Sequence, residues 1–208
     1  MGEERKHADE ARLKLLETQL EPHMLFNTLA NLRVLIGSDP ARAQALLDHL
    51  IAFLRSTLAA SRAQEHSLAA EFERTADYLA LMKIRMGERL STELQLPPEL
   101  AATPVPTLLL QPLVENAIKH GLEPNVAGGR LSVIARMEDE QLVVSVRDTG
   151  LGLTRPAPMA GDSRFGLAHV RQRLSTRYGG AAVFSLEPAD SNEQGTVATV
   201  RIPLKATP

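Results

Sequence analysis

The hydrophobic period of this chain changes at Gly87. Before it, apolar residues recur every three or four positions, the spacing that lines one face of a helix. Leu13, Leu16 and Leu20 form one stripe, and Leu25, Leu29, Leu32 and Ile36 form a second. The step from Leu20 to Leu25 is five residues and contains Pro22, which removes a backbone donor, so a kink is expected there. Gly37-Ser38-Asp39-Pro40 punctuates the run. Asp39 is placed as an N-cap and Pro40 suits the first helical position. Leu46, Leu47, Leu50, Leu54 and Leu58 mark a returning helix, and the polar stretch from Ser61 to His66 reads as a linker. A third helix is expected from Ser67 to Met86. It would carry Leu68, Phe72, Ala76, Leu79, Met82 and Met86 on one face, with Gly87 as its stop.

Beyond Gly87 the apolar residues alternate. Leu90, Thr92, Leu94 and Leu96 read as a half-buried strand ended by Pro97-Pro98. Leu131, Val133, Ala135 and Met137 read as another, returning through Glu138-Asp139-Glu140 to Leu142, Val144 and Val146. Ala182–Leu186 and Thr196–Ile202 predict two more. Two helical stretches interrupt these strands, Thr107–His120 and Phe165–Tyr178, and the Pro/Gly-rich segment Gly152–Ser163 predicts a mobile loop. The order is a helical hairpin followed by a mixed α+β layer.

At 208 residues the chain is long enough for one or two domains. Aromatic residues are only 3% of it and Trp is absent, so Leu, Val, Ile and Ala must build the core, with Met82 and Met86 as filler. A net charge of −2 without a basic block excludes a nucleic-acid footprint and a polybasic membrane patch. No apolar run reaches the length of a membrane span, and Met-Gly-Glu-Glu-Arg-Lys begins no signal peptide. The absence of Cys excludes disulfides and thiolate metal sites and fits a reducing, cytoplasmic setting. Any membrane-embedded region would lie outside this chain.

Three clusters carry chemistry. In Leu113-Val114-Glu115-Asn116-Ala117-Ile118-Lys119-His120-Gly121, helical spacing puts Asn116, Lys119 and His120 on one face. An amide oxygen suits a hard cation such as Mg²⁺, and Lys119 supplies positive charge for phosphate. In Asp148-Thr149-Gly150-Leu151-Gly152, a carboxylate at a strand end can accept a hydrogen bond from an exocyclic amine, and the glycines would let a ligand approach the backbone. Phe165-Gly166-Leu167 stands at a helix start, where free N–H groups favour phosphate. Each cluster alone is equally compatible with an ordinary helix edge, turn or loop.

In this order the three resemble the nucleotide site of the superfamily of gyrase, Hsp90, histidine kinases and MutL. The resemblance implies that Asn116 is the Mg²⁺ ligand and that Asp148, Gly150 and Gly152 form the first Gly box, whose Asp reads adenine. Gly166 and Leu167 match part of the second Gly box, and Gly195-Thr196 matches the usual Gly-Thr pair. Arg164 replaces the first glycine of the second box, and Pro112 stands where hydrolytic members carry a Glu base. Transfer to a protein nucleophile is therefore expected rather than rapid hydrolysis.

Gln19-Leu20-Glu21-Pro22-His23-Met24-Leu25-Phe26-Asn27 supplies that nucleophile. It resembles the acceptor motif of LytS-like sensor kinases, with Met24 for the usual Phe, and Gln111 to Gly121 shares that group's wording. The resemblance implies His23 as phosphoacceptor, with ATP and Mg²⁺ as cofactors. At 100° per residue, His23 lies roughly 150° from the Leu25/Leu29/Leu32/Ile36 stripe, facing solvent. An imidazole with a reference pKa of about 6.5 is mostly neutral near pH 7.5, as attack on a γ-phosphate requires. Asn27, one turn on, is placed to position phosphoryl oxygens or water. Glu21 is a candidate for the acid that other kinases carry directly after the acceptor. His7, His49, His66 and His169 show no partner pattern.

The expected architecture is an N-terminal helical hairpin, 1–65, for dimerisation and phosphoacceptance, then an ATP-binding domain, 66–208. Two hairpins would pair into a four-helix bundle, since one hairpin cannot bury all its leucines. The second domain would be a Bergerat-type α/β sandwich, a mixed sheet covered by helices on one face. The implied partner is a response regulator receiver domain, with a LytTR-type output among the implications, and the implied location is a cytoplasmic core tethered to the inner membrane. A conformational ATPase and a non-catalytic module with a degenerate pocket are the rival readings.

Overall fold

The computed structural model describes residues 22–60, 65–153, 162–189 and 194–204. The expected stripe Leu13/Leu16/Leu20, the candidate acid Glu21 and most of the expected loop Gly152–Ser163 lie outside these residues. The chain divides into two compact units that meet between Gln64 and Glu65.

The first unit is a hairpin of α1 (Pro22–Ser38) and α2 (Pro40–Ala60). Asp39 alone separates them. Its Oδ1 accepts the N–H of Arg42 at 3.1 Å, so it caps α2 as expected. The leucine stripe of α1 does not face α2. The buried residues of α1 are Met24, Thr28 and Leu35, whereas Leu29 is 50% exposed and Ile36 62%. Thr28 is compatible with the interior because its hydroxyl donates to the Met24 carbonyl at 2.8 Å. On α2 the buried set is Ala43, Leu46, Leu50, Phe53 and Thr57, while Leu47, Ile51 and Leu58 are exposed. At 100° per residue each outer stripe is rotated about 90° from its own buried set.

The second unit begins with β1 (Glu65–Ser67), a short strand where the sequence predicted linker. It pairs antiparallel with β3 (Pro104–Pro106), and that long-range pairing is what makes so polar a segment a strand. Next comes α3 (Leu68–Met86). Ser67 caps it through the N–H of Ala70, and Gly87, at φ 62°, ends it. Leu68, Phe72, Leu79, Met82 and Met86 are buried as expected, but Ala76 is exposed and the buried arc also takes in Glu71, Arg74, Thr75 and Tyr78.

The main sheet has the order β2-β4-β5-β7-β6. Its strands are β2 (Leu90–Gln95), β4 (Gly129–Glu138), β5 (Gln141–Asp148), β6 (Val183–Pro188) and β7 (Thr196–Pro203). β2 pairs parallel with β4 and every other pair is antiparallel. Asp139 and Glu140, both at positive φ, close the β4–β5 hairpin as a tight two-residue turn. One face forms the core: Leu131, Val133 and Ala135 on β4, Leu142, Val144 and Val146 on β5, and Ala198, Val200 and Ile202 on β7 are all buried. β2 is not half-buried as expected. Leu90 is fully buried but Thr92 and Leu94 are exposed, because this edge strand is covered only at its start.

The helix expected over Thr107–His120 starts later. Gln111–Asn116 forms α4, which widens into a π-helical turn over Ala117–Leu122. Residues 107–110 instead make a turn in which Leu108 takes φ 56°. For a residue with a Cβ that conformation costs about 1–2 kcal/mol and needs outside support. α5 (Asp162–Tyr178) follows and ends at Gly179, φ 58°.

Candidate functional site

Asp148 is the last residue of β5 and is 2% exposed. Strand alternation puts it on the core face, directly opposite Thr196 on β7, which is also buried. Asp148 Oδ1 accepts the N–H of Gly150 at 2.9 Å. Burial pushes its carboxyl above the ordinary value, against the N–H groups of Gly150 and Thr196, which stabilise the charged form. A carboxylate kept this dry retains lone-pair capacity for a further donor.

The glycines around it serve the protein's own packing first. A Cβ on Gly121 would stand 2.5 Å from Asp148 Oδ1, and one on Gly150 would stand 2.2 Å from the Gly121 carbonyl oxygen. A Cβ on Gly195 would meet the Asp148 carbonyl oxygen at 1.9 Å. The Leu151 N–H then donates to the Gly121 carbonyl at 3.1 Å. These contacts press the end of the α4 π-turn against the end of β5. Gly152, at φ 71°, turns the chain next to Gly195. Beside the expected approach of a ligand to the backbone, these glycines therefore also join two segments of the chain.

The same junction draws the other candidates in. Asn116 ends α4, while Lys119 and His120 lie in the π-turn beyond it, all three half-buried. A π-turn of this kind is a frequent mark of functional sites. Gly166 lies in the second turn of α5, where its Cβ position is 3.4 Å from Pro112 Cβ, so the start of α5 abuts the start of α4. Leu167 is half-buried beside it. Asp148, Gly150, Gly152, Asn116, Lys119, His120, Gly166, Leu167 and Thr196 all belong to this second unit. His23 and Asn27 belong to the first, in the opening turns of α1.

Sequence reasoning missed one group. His66 is not without a partner: its Nε2 lies 2.5 Å from Oε1 of Glu71. Glu71 is 1% exposed and also accepts from Arg74 Nη1 at 2.6 Å and from the N–H groups of Leu108 and Leu110 at 2.9 and 2.7 Å. Burial would push its carboxyl up, but the His66 bond, the Arg74 charge and the Leu110 N–H together hold it below the ordinary value. The available signal was a charged residue inside the apolar arc of α3, three residues after Leu68.

Comparison with known proteins decides the family. The model of the histidine kinase family, "Histidine kinase", matches residues 11–90. That of "Histidine kinase-, DNA gyrase B-, and HSP90-like ATPase" matches 104–206. The chain is 35% identical to sensor histidine kinase BtsS of Escherichia coli K12 over 195 residues, covering 93% of this chain and 34% of that protein. It is 32% identical to sensor protein LytS of Staphylococcus haemolyticus, over the same shares of the two chains.

The chain belongs to the LytS-like sensor histidine kinases.

It spans about a third of the length of these curated relatives. The LytS-like chain also shares its fold with the histidine kinase domain of the blue-light activated kinase of Erythrobacter litoralis EL346. That match has a TM-score of 0.53 at 20% identity, covering 94% of this chain and 96% of that one. The catalytic domain of histidine kinase ThkA matches at TM-score 0.52 and 15% identity, over 68% and 97%. The ATPase-type domain of a LytS-like kinase binds ATP. The residues present fit that ligand: a buried, under-solvated carboxylate stands at one end of the junction, and an amide, an ammonium and an imidazole stand at the other.

Proposed function

We propose that this chain is the autophosphorylating core of a two-component sensor, moving the γ-phosphoryl of ATP to His23 and then to an Asp of a response regulator receiver domain. The observation that carries this reading is the convergence of buried Asp148 and Thr196 with the Asn116-bearing helix, in a chain of this family that has His23 on a separate helix.

Asp148 accepts from the exocyclic amine of adenine, and Thr196 supports it through a hydroxyl. Lys119 and His120 face the phosphates with positive charge and N–H donors. Asn116 is the oxygen ligand suited to Mg²⁺, which when bound neutralises charge on the phosphate oxygens. Gly150 and Gly152 hold the loop that follows Asp148, and Gly166 with Leu167 seats the start of α5 beside α4. Neutral His23 uses a ring nitrogen lone pair to form the N–P bond while the bond from the γ-phosphorus to the ADP oxygen breaks. Asn27 orients the phosphoryl oxygens, and Glu21 is the acid available to the imidazole. Pro112 leaves no carboxylate to activate water, which favours transfer over hydrolysis.

Residues 1–65 serve dimerisation and phosphoacceptance, and residues 66–208 bind ATP. The homodimer is supported by the outer stripes, Leu29 and Ile36 on α1 with Leu47, Ile51 and Leu58 on α2, all of them exposed. Burying these stripes against a second copy completes a four-helix bundle. The regulator carries a LytTR-type output, and the full-length protein tethers this cytoplasmic core to the inner membrane. Among the described residues no helix is long and apolar enough to cross a membrane.

Incubation with γ-labelled ATP and Mg²⁺, wild type beside His23→Gln, tests the central step. Acid-labile, alkali-stable label on the wild type alone is expected. Equal label on both proteins, or steady phosphate release that survives loss of His23, would overturn it.

A further inference from the structure

The buried Glu71 carboxylate bonds to the turn that begins the Asn116-bearing helix. It accepts two N–H groups of that turn, from Leu108 and Leu110, with Leu108 in its left-handed conformation. The carbonyls of the same turn are held from the other side. Arg173 of α5 donates to the Thr107 carbonyl at 2.5 Å and also reaches that of Leu108. Arg177, one turn further along α5, pairs with Glu65 of β1, and His66 of β1 bonds Glu71. Four elements therefore meet at residues 107–110: β1, α3, the start of α4 and α5. Nothing in the chemistry of the adenine end needs this cluster, because Asp148 and Thr196 are carried by β5 and β7.

We propose that Glu71 is a positioning residue for the phosphate end of the nucleotide site, acting through the 107–110 turn to set α4 and with it Asn116 and Lys119. Four donors converge on this carboxylate, two from the turn. An amide in its place has one acceptor oxygen and brings N–H donors towards donors. The turn then loses its hold on the left-handed Leu108, and α4 loses its defined start. Arg173 does the same work on the carbonyl side. The inference rests on the nucleotide-binding reading above.

The test separates the two ends of the nucleotide. Binding of adenosine without metal is measured by ligand-detected NMR, and binding of AMP-PNP with Mg²⁺ by calorimetry. The proteins are the full chain as wild type, Glu71→Gln, Arg173→Gln and Leu186→Ala, each below its thermal midpoint. Leu186, on β6, serves as the control for general destabilisation. The expected result is Mg·AMP-PNP affinity lowered about tenfold or more in Glu71→Gln and Arg173→Gln, adenosine affinity within twofold of wild type, and neither changed in Leu186→Ala. Should Glu71→Gln fail to fold, the same split in Arg173→Gln supports the proposal and an unchanged Arg173→Gln overturns it. Equal loss of both ligands in a folded variant assigns Glu71 a merely structural role and overturns it, as does no loss of either. A wild type that binds neither ligand overturns the nucleotide reading and this inference together. A wild type that binds both, with variants that do the same, overturns this inference alone.

Discussion

The Cα hydrogen of Gly121 points at the carboxylate of Asp148: a methyl group there would stand 2.5 Å from Oδ1. A residue of the α4 π-turn and a residue of β5 are thus in contact only because one of them lacks a side chain. Gly121→Ala must displace the carboxylate or part the two segments. The expected outcome is a loss of about 1–3 kcal/mol of stability, the range for overpacking a close contact, together with weakened nucleotide binding. Urea unfolding and titration with a fluorescent ATP analogue check the two effects.

Asp148 carries a stability cost of its own. Its carboxyl is raised above the ordinary Asp value by burial, so the folded state holds that proton more tightly than the unfolded chain. Stability from this group therefore falls as pH rises from the ordinary Asp range through the folded value, and at neutral pH the buried charge is a net cost. Asp148→Asn keeps an oxygen for the Gly150 N–H and removes the charge. A thermal midpoint raised by a few degrees at pH 7 is expected, with adenine nucleotide binding lost. An unchanged or lowered midpoint by calorimetry would contradict the burial argument.

Glu71 has the opposite sign. Despite burial, its donors hold the carboxyl below the ordinary Glu value. The stability it contributes is complete above that ordinary value and is lost as pH falls through the lower, folded one. Chemical denaturation of wild type across acidic pH is expected to show this loss, with a shallower pH dependence in Glu71→Gln. Removing the partner altogether, as in Glu71→Ala, leaves Arg74 and two backbone donors buried without it and is expected to cost about 3–5 kcal/mol.

The outer stripe of the hairpin makes a different prediction. Leu29→Ser with Ile36→Ser alters exposed positions only, so the hairpin itself keeps its Met24, Thr28, Leu35 packing. Sedimentation is expected to show a dimer mass for wild type at micromolar concentration and half that mass for the double variant. A monomeric wild type would sink the four-helix arrangement.

Much of this protein is local and was therefore legible. Ser67 and Gly87 bound α3, Asp39 caps α2, and the Glu138-Asp139-Glu140 hairpin and the alternating strands lie where side-chain period and capping chemistry put them. The candidate nucleotide residues were readable too, because Asn116, Asp148 and Thr196 sit in short motifs whose spacing survives without a structure. Tertiary structure alone decided which of two apolar stripes of α1 faces α2, because helical period defines an apolar arc but not its partner. It alone made β1 a strand, since the pairing with β3 spans nearly forty residues. It alone delayed the start of α4, because a carboxylate on α3 claims the N–H groups of the turn before it. Local chemistry sets where an element starts and stops, but a contact between residues far apart in sequence exists only once the chain has closed the loop between them.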